Sequence, residues 1–172
     1  MRKFASSPPI EERVGGLLRE ADAMVAVAES CTGGLIGSLL TDVPGSSDYF
    51  DRSLATYSYD AKRQLLAVDR ETLDVEGAVS EPAARQMAQG IRDTSDTTWG
   101  VSTTGIAGPD GGTDEKPVGT VFIGVAYAGE WGTQSSLVTV ERYEFDGTRT
   151  AIKEQIARQA LEDLLGAIEE RS

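Results

Sequence analysis

The chain has no histidine and a single cysteine, Cys31. Without histidine there is no Ser-His-Asp or Cys-His catalytic pair and no Cys/His zinc site, and one cysteine excludes an internal disulfide. Any acyl chemistry would need lysine, a carboxylate, tyrosine or water as its base. Lysine is itself scarce: Lys3, Lys62, Lys116 and Lys153 are the whole set. Basic residues number 16 against 28 acidic ones, a formal net charge of -12, so no cationic excess exists to neutralise phosphates and nucleic acid is not an expected partner. An acidic, lysine-poor surface stays hydrated when salt screens its self-repulsion, which points to a salt-rich, halophile-like cytoplasm. Folding and activity indifferent to molar salt would overturn that expectation.

Long apolar runs are also missing, and Met1-Arg2-Lys3-Phe4 followed by Ser6-Ser7-Pro8-Pro9 lacks the apolar core of a signal peptide. The expected location is cytoplasmic, with no membrane partner. Residues 1–9 are expected to form a flexible N-terminus and residues 10–172 a single domain, since this length with 40% hydrophobic content suffices for one core.

The stretch Ala28-Glu29-Ser30-Cys31-Thr32-Gly33-Gly34 organises the rest. Met24 to Val27 before it suits a strand buried on both faces, and Leu35, Ile36, Leu39 and Leu40 after it fall on one helical face. A strand thus hands over to a helix at Ser30, where free N–H groups and the positive end of a helix dipole can meet an anionic or polarised ligand. The same residues also serve as ordinary caps and turns. Neither G-x-x-x-x-G-K-[ST] nor G-x-G-x-x-G occurs.

Ile10, Val14, Leu17 and Leu18 mark a first amphipathic helix. A helical turn is expected over 48–51, a second strand over 53–57, and a short helix through Leu65-Leu66 carrying Lys62. Ser80-Glu81-Pro82 reads as a helix start, with Ser80 as its cap. Trp99 to Thr104 forms a strand opening into the glycine-rich Gly105-Ile106-Ala107-Gly108-Pro109-Asp110-Gly111-Gly112. Val118 to Tyr127 and Ser136 to Phe145 make an antiparallel pair, and Ile152, Ile156, Ala160, Leu164 and Ile168 a last helix. Arg149 falls in that helix's first turn, where a cation opposes the dipole but suits an anion shared with the helix end. The expected fold is α/β, a three-layer α/β/α sandwich with a mixed, mostly parallel sheet. Polar strand ends near Ser30, Tyr57 and Thr104 share one edge if their strands run parallel.

The chain carries, in order, Ala28 to Gly34, Thr56-Tyr57-Ser58 with Ala61-Lys62, Gly77-Ala78-Val79-Ser80-Glu81-Pro82, Gly105 to Gly112, and Lys116-Pro117-Val118-Gly119-Thr120-Val121. Together these motifs resemble the CinA C-terminal domain family of nicotinamide-nucleotide amidohydrolases. The resemblance runs from about Ile10 to Leu165 and suggests the stand-alone form, without the N-terminal molybdopterin-binding-like domain of some members. It implies hydrolysis of nicotinamide mononucleotide (NMN) to nicotinic acid mononucleotide and ammonia, in pyridine nucleotide recycling, at a metal-independent Ser-Lys site needing no cofactor.

Carried over by motif, Ser30 is the nucleophile and Lys62 the base that later protonates ammonia. A free lysine titrates near 10.4, so that role requires a value lowered by about two units or more. Tyr57 would relay the proton or orient Lys62, and Thr104, before Gly105, would bond substrate or nucleophile. Gly105 and Arg149 are assigned to substrate, Arg149 to its phosphate. The amides of Thr32, Gly33 and Gly34 are assigned to the oxyanion. Tyr59-Asp60 departs from the asparagine and glutamate frequent in the family, which bears on pocket shape. Cys31, with no histidine to activate it, is expected to be a packing residue. A homo-oligomer is expected. The alternatives are a non-catalytic nucleotide-binding or regulatory module, and an amidase for a related pyridine nucleotide.

Overall fold

The computed structural model describes residues 3–172. Met1 and Arg2, in the expected flexible N-terminus, lie outside the described residues. Residues 3–9 form neither helix nor strand, and the amides of Lys3 and Phe4 donate to the Glu154 carboxylate at 3.3 and 3.1 Å.

In chain order the elements are α1 (Ile10–Glu20), β1 (Val25–Glu29), α2 (Leu35–Thr41), β2 (Phe50–Ala55), α3 (Tyr59–Leu66), α4 (Arg70–Glu76), α5 (Glu81–Ser95), β3 (Trp99–Gly105), β4 (Thr120–Tyr127), β5 (Leu137–Glu144) and α6 (Arg149–Glu169). The sheet order is β2-β1-β3-β4-β5. β1 pairs in parallel with β2 and β3, while β4 is antiparallel to both β3 and β5, so β4 alone runs against the other strands of this mixed sheet.

Alternation along β1 divides the core. Val25 and Val27 pack with Ile10, Val14 and Leu18 of α1, Ile36, Leu39 and Leu40 of α2, and Ile152, Ile156 and Leu161 of α6. Ala26 and Ala28 face the other way, onto Leu66, Leu73, Ala83, Met87 and Ile91 from α3, α4 and α5. Helices thus cover both faces of the sheet, giving the three layers expected from sequence. The α5 side is closely packed because the strands present small residues there. A Cβ on Gly100 would stand 2.3 Å from the Ala88 carbonyl oxygen, and Ser102 Oγ donates to the Ala84 carbonyl at 2.7 Å.

Two boundaries and one additional helix differ from expectation. β2 starts at Phe50 and ends at Ala55, not over 53–57; it is an edge strand whose exposed Asp51 and Arg52 hide the apolar pattern. The helical turn falls at Ser46–Asp48, before rather than over 48–51. α4, only seven residues long with Leu73 its one buried residue, offers too short a stripe for a helical period to be read.

β1 occupies the position that shapes the site. The chain leaving β1 enters α2 on one face, whereas the chain leaving β2 enters α3 on the other. A crevice therefore opens beyond the carboxyl ends of these strands, as is general where a parallel sheet divides its connections. The ends are level, because Glu29 pairs with Ala55 on one side and with Thr103 on the other.

Candidate active site

In that crevice a cavity of about 210 Å³ is lined by Ser30 and Cys31 after β1, Tyr57 and Lys62, Ala78 and Val79, Thr104 and Gly105 of β3, Ala107, and Arg149 of α6. Ser30 continues the β1–β3 ladder for one residue, its amide donating to the Thr103 carbonyl at 3.0 Å. Its hydroxyl stands at the head of the turn into α2. Lys62 comes from α3, where Ser58 caps the helix through the Ala61 amide. That cap sets the first turn, so Lys62 points back under the end of β2 rather than out to solvent.

Lys62 has no exposed surface. Its Nζ lies 2.9 Å from Ser30 Oγ and donates to the carbonyls of Thr56 at 2.7 Å and Tyr57 at 3.3 Å. None of these partners is a carboxylate, and burial pushes the lysine down from 10.5 to about 8. The two carbonyls can only accept, so a neutral amine must give them its two N–H bonds. Its lone pair then faces the third neighbour, Ser30 Oγ. The arrangement poises the lysine to take the serine proton.

Cys31 is buried beside this pair, and burial raises its thiol to about 12. The protonated thiol packs, as its context in the sequence suggests, and is no rival nucleophile near neutral pH.

Thr104 is buried and donates its hydroxyl proton to the Ala78 carbonyl at 2.7 Å. Only its lone pairs remain for the cavity, so it can accept from a ligand N–H. Tyr57 reaches Lys62 through its backbone carbonyl, while its phenol accepts from Arg149 Nη2 at 3.3 Å. Of the two expected roles, orienting Lys62 falls to the Tyr57 backbone carbonyl, while the phenol engages Arg149 and the exposed ring stands at the mouth. Arg149 opens α6 and also donates to the Gly108 carbonyl, bridging the two sides of that mouth.

The turn after Ser30 corrects another expectation. The Gly33 amide donates to the Ser30 carbonyl at 3.2 Å and the Gly34 amide to the Glu29 carboxylate at 3.0 Å, so neither faces an oxyanion. Thr32 places its hydroxyl 2.8 Å from that of Thr103. Thr32, Gly33 and Gly34 line a separate hollow of about 390 Å³ with Lys153 and Glu154. Among the described residues, the Cys31 and Thr32 amides join no backbone–backbone hydrogen bond.

Sequence reasoning passed over the Thr56 and Tyr57 carbonyls, the Ala78-Val79 wall and Ala107. Backbone groups carry no side-chain signature, although these residues fall within the Thr56 to Ser58, Gly77 to Pro82 and Gly105 to Gly112 motifs; in the second of these Ser80 does act as the cap, accepting from the Ala83 amide. A larger hollow of about 670 Å³ between α5 and the β4–β5 turn, lined by Arg92, Asp93 and the exposed Trp131, contains no lysine. Among the described residues no helix is long and apolar enough to cross a membrane.

Known proteins share this framework. CinA-like proteins from Chlorobium limicola and Salinibacter ruber are 51% and 50% identical over 154 residues, 90% of this chain. The chain spans about a third of these curated relatives, 35% and 36% of their lengths. Among solved structures, the competence/damage inducible protein CihA from Agrobacterium tumefaciens superposes with a TM-score of 0.86 at 40% identity, covering 98% of this chain and 99% of that one. A CinA superfamily protein from Klebsiella pneumoniae gives 0.86 at 31% identity, covering 94% and 96%. The family model of the CinA C-terminal domain matches residues 7–168, and the chain belongs to that family.

Proposed function

We propose that the chain hydrolyses the carboxamide of NMN to nicotinic acid mononucleotide and ammonia. The observation that carries this reading is the buried lysine 2.9 Å from Ser30 Oγ, with both remaining contacts on carbonyls and its affinity for protons lowered to about 8. A site that only bound a nucleotide would have no use for a desolvated base aimed at a hydroxyl.

Ser30 Oγ attacks the carboxamide carbon as its proton passes to Lys62 Nζ. The tetrahedral intermediate collapses with cleavage of the C–N bond, and Lys62 returns the proton to the departing nitrogen, releasing ammonia and leaving an ester on Ser30. Water then attacks that ester, Lys62 accepts its proton, the ester C–O bond breaks and Ser30 is reprotonated. The Cys31 and Thr32 amides stabilise the oxyanion, a contribution of about 10²-fold where donors are well aimed. Thr104 Oγ1 accepts from the carboxamide N–H. The cavity of about 210 Å³ suits the flat pyridine carboxamide, with the ribose phosphate at the mouth beside Tyr57. There Arg149 exchanges the Gly108 carbonyl and Tyr57 phenol for the phosphate.

The test is ammonia release from NMN by wild type and by folded Ser30→Ala. Turnover in the first and none in the second is expected. Binding without turnover by wild type would leave a nucleotide-binding module, and turnover of another pyridine carboxamide in place of NMN would move the substrate.

A further inference from the structure

Glu29, immediately before Ser30, is fully buried. The other buried carboxylates, Glu11 and Glu154, lie against the Arg158 guanidinium at 3.1 and 3.0 Å, but Glu29 forms no salt bridge among the described residues. Its oxygens instead accept four hydrogen bonds: from the amides of Gly34 at 3.0 Å, Ile36 at 3.1 Å and Gly37 at 2.9 Å, and from Ser53 Oγ at 2.7 Å. The first three are otherwise unpaired donors at the start of α2, and the fourth comes from β2. Gly37 makes the last contact possible, because a Cβ there would stand 2.6 Å from Ser53 Cβ.

A buried carboxylate held only by hydrogen bonds is a demanding arrangement, since losing one donor leaves charge without compensation. Its placement suggests a use. The backbone carbonyl of Glu29 accepts from the Thr56 amide at 2.8 Å, and the Thr56 carbonyl in turn accepts from Lys62. The segment between Glu29 and α2 is therefore anchored at both ends. At its head the Ser30 amide bonds to Thr103, and at its foot the Glu29 side chain gathers the first amides of α2. Ser30 Oγ and the Cys31 and Thr32 amides lie between these anchors, and none of them touches the carboxylate directly.

We propose that Glu29 is a positioning residue, whose carboxylate clamps α2 onto the end of β1 and so fixes Ser30 Oγ against Lys62. The proposal rests on the Ser30–Lys62 reading and adds the group that holds the nucleophile in register. It also accounts for the engaged Gly34 amide: that donor belongs to the clamp.

The test uses a fluorophosphonate probe, in which Ser30 Oγ bonds to phosphorus, fluoride departs and the serine proton passes to Lys62 and then to solvent. Labelling is followed by intact mass, so it requires no assumption about the natural substrate. In Glu29→Gln the amide has one acceptor oxygen and turns N–H groups towards backbone N–H groups. Labelling of Ser30 should slow about tenfold or more in protein that remains folded by circular dichroism, because small misplacements at a reacting atom have large effects. With NMN the loss should fall on kcat and leave KM within about twofold, which a general loosening of the fold would not do. Ser53→Ala removes one donor and keeps the other three; it should slow labelling about threefold, and stands as the test if Glu29→Gln does not fold. Wild-type labelling rates in folded Glu29→Gln, or in Ser53→Ala where the first variant fails, overturn the clamp. Wild type that is itself unlabelled on Ser30 overturns the nucleophile assignment and the clamp with it.

Discussion

Replacing Lys62 with methionine keeps length and removes charge. The wild-type side chain exposes no surface, and burial lowers it from 10.5 to about 8. The unfolded chain takes up the proton at the higher value, so between the two values the unfolded state binds more protons. Wild-type stability should then rise with pH across that window, the burial penalty being complete below the lower value and relieved above it. At about 1.4 kcal/mol per unit, the interval from 10.5 to about 8 corresponds to about 3 kcal/mol. The ammonium lies at the floor of a cavity open to water, and screening there reduces the expected effect to about 2 kcal/mol. Methionine also strips the Thr56 and Tyr57 carbonyls of their donor, a loss of about 1 kcal/mol each that does not depend on pH. The informative quantity is therefore a difference of differences: the unfolding free energy of wild type minus that of Lys62→Met, from denaturant titrations at about pH 7 and about pH 10. Raising the pH should move it by about 2 kcal/mol in favour of wild type. A flat difference would mean that the folded lysine keeps an ordinary affinity for protons, and its assignment as the base would fall.

Turnover should carry the same signature, since only neutral Lys62 can accept the serine proton: kcat/KM for NMN is expected to rise about tenfold per pH unit below about 8 and to level above it, and a profile flat through that range would assign the proton to another group. Arg149→Ala should raise KM for NMN about tenfold or more with little change in kcat, and should leave nicotinamide riboside, which has no phosphate, unaffected; an equal loss on both substrates would remove the arginine from phosphate recognition. Gly100→Ala should destabilise the fold by about 2 to 3 kcal/mol in denaturant titrations, because the added methyl would meet the Ala88 carbonyl and the Arg92 amide of α5 at 2.3 and 2.9 Å, and backbone cannot swing aside as a side chain can.

The parts of the fold legible in the sequence were those whose environment is uniform. Val25 to Ala28 and Val121 to Ala126 are buried on both faces, and their apolar runs announced central strands. The long stripe from Ile152 to Ile168 announced α6. What failed to register sits at the periphery. β2 has one neighbour and exposes charged residues, and α4 is shorter than two full turns of apolar repeat, so neither pattern rises above that of a loop.

The candidate site divides along another line. Ser30, Lys62 and Thr104 were legible because each stands in or beside a recognisable motif, and Arg149 because it opens the last helix, and the parallel pairing of β1 with β2 and β3 brings three of their loops to one edge. The groups that determine what these side chains can do are mostly backbone. The Thr56 and Tyr57 carbonyls aim the lysine's lone pair, and Glu29 and Ser30 occupy the Gly34 and Gly33 amides that the motif alone put on the oxyanion. A peptide group is the same at every position of the sequence, and only the fold decides whether its dipole points into a cavity or into a helix cap. The failure of expectation at the glycine amides, and the passage of Tyr57's orienting role to its carbonyl, therefore share one cause: a motif names the residues present at a strand end without saying which of their groups the local hydrogen bonds have already claimed.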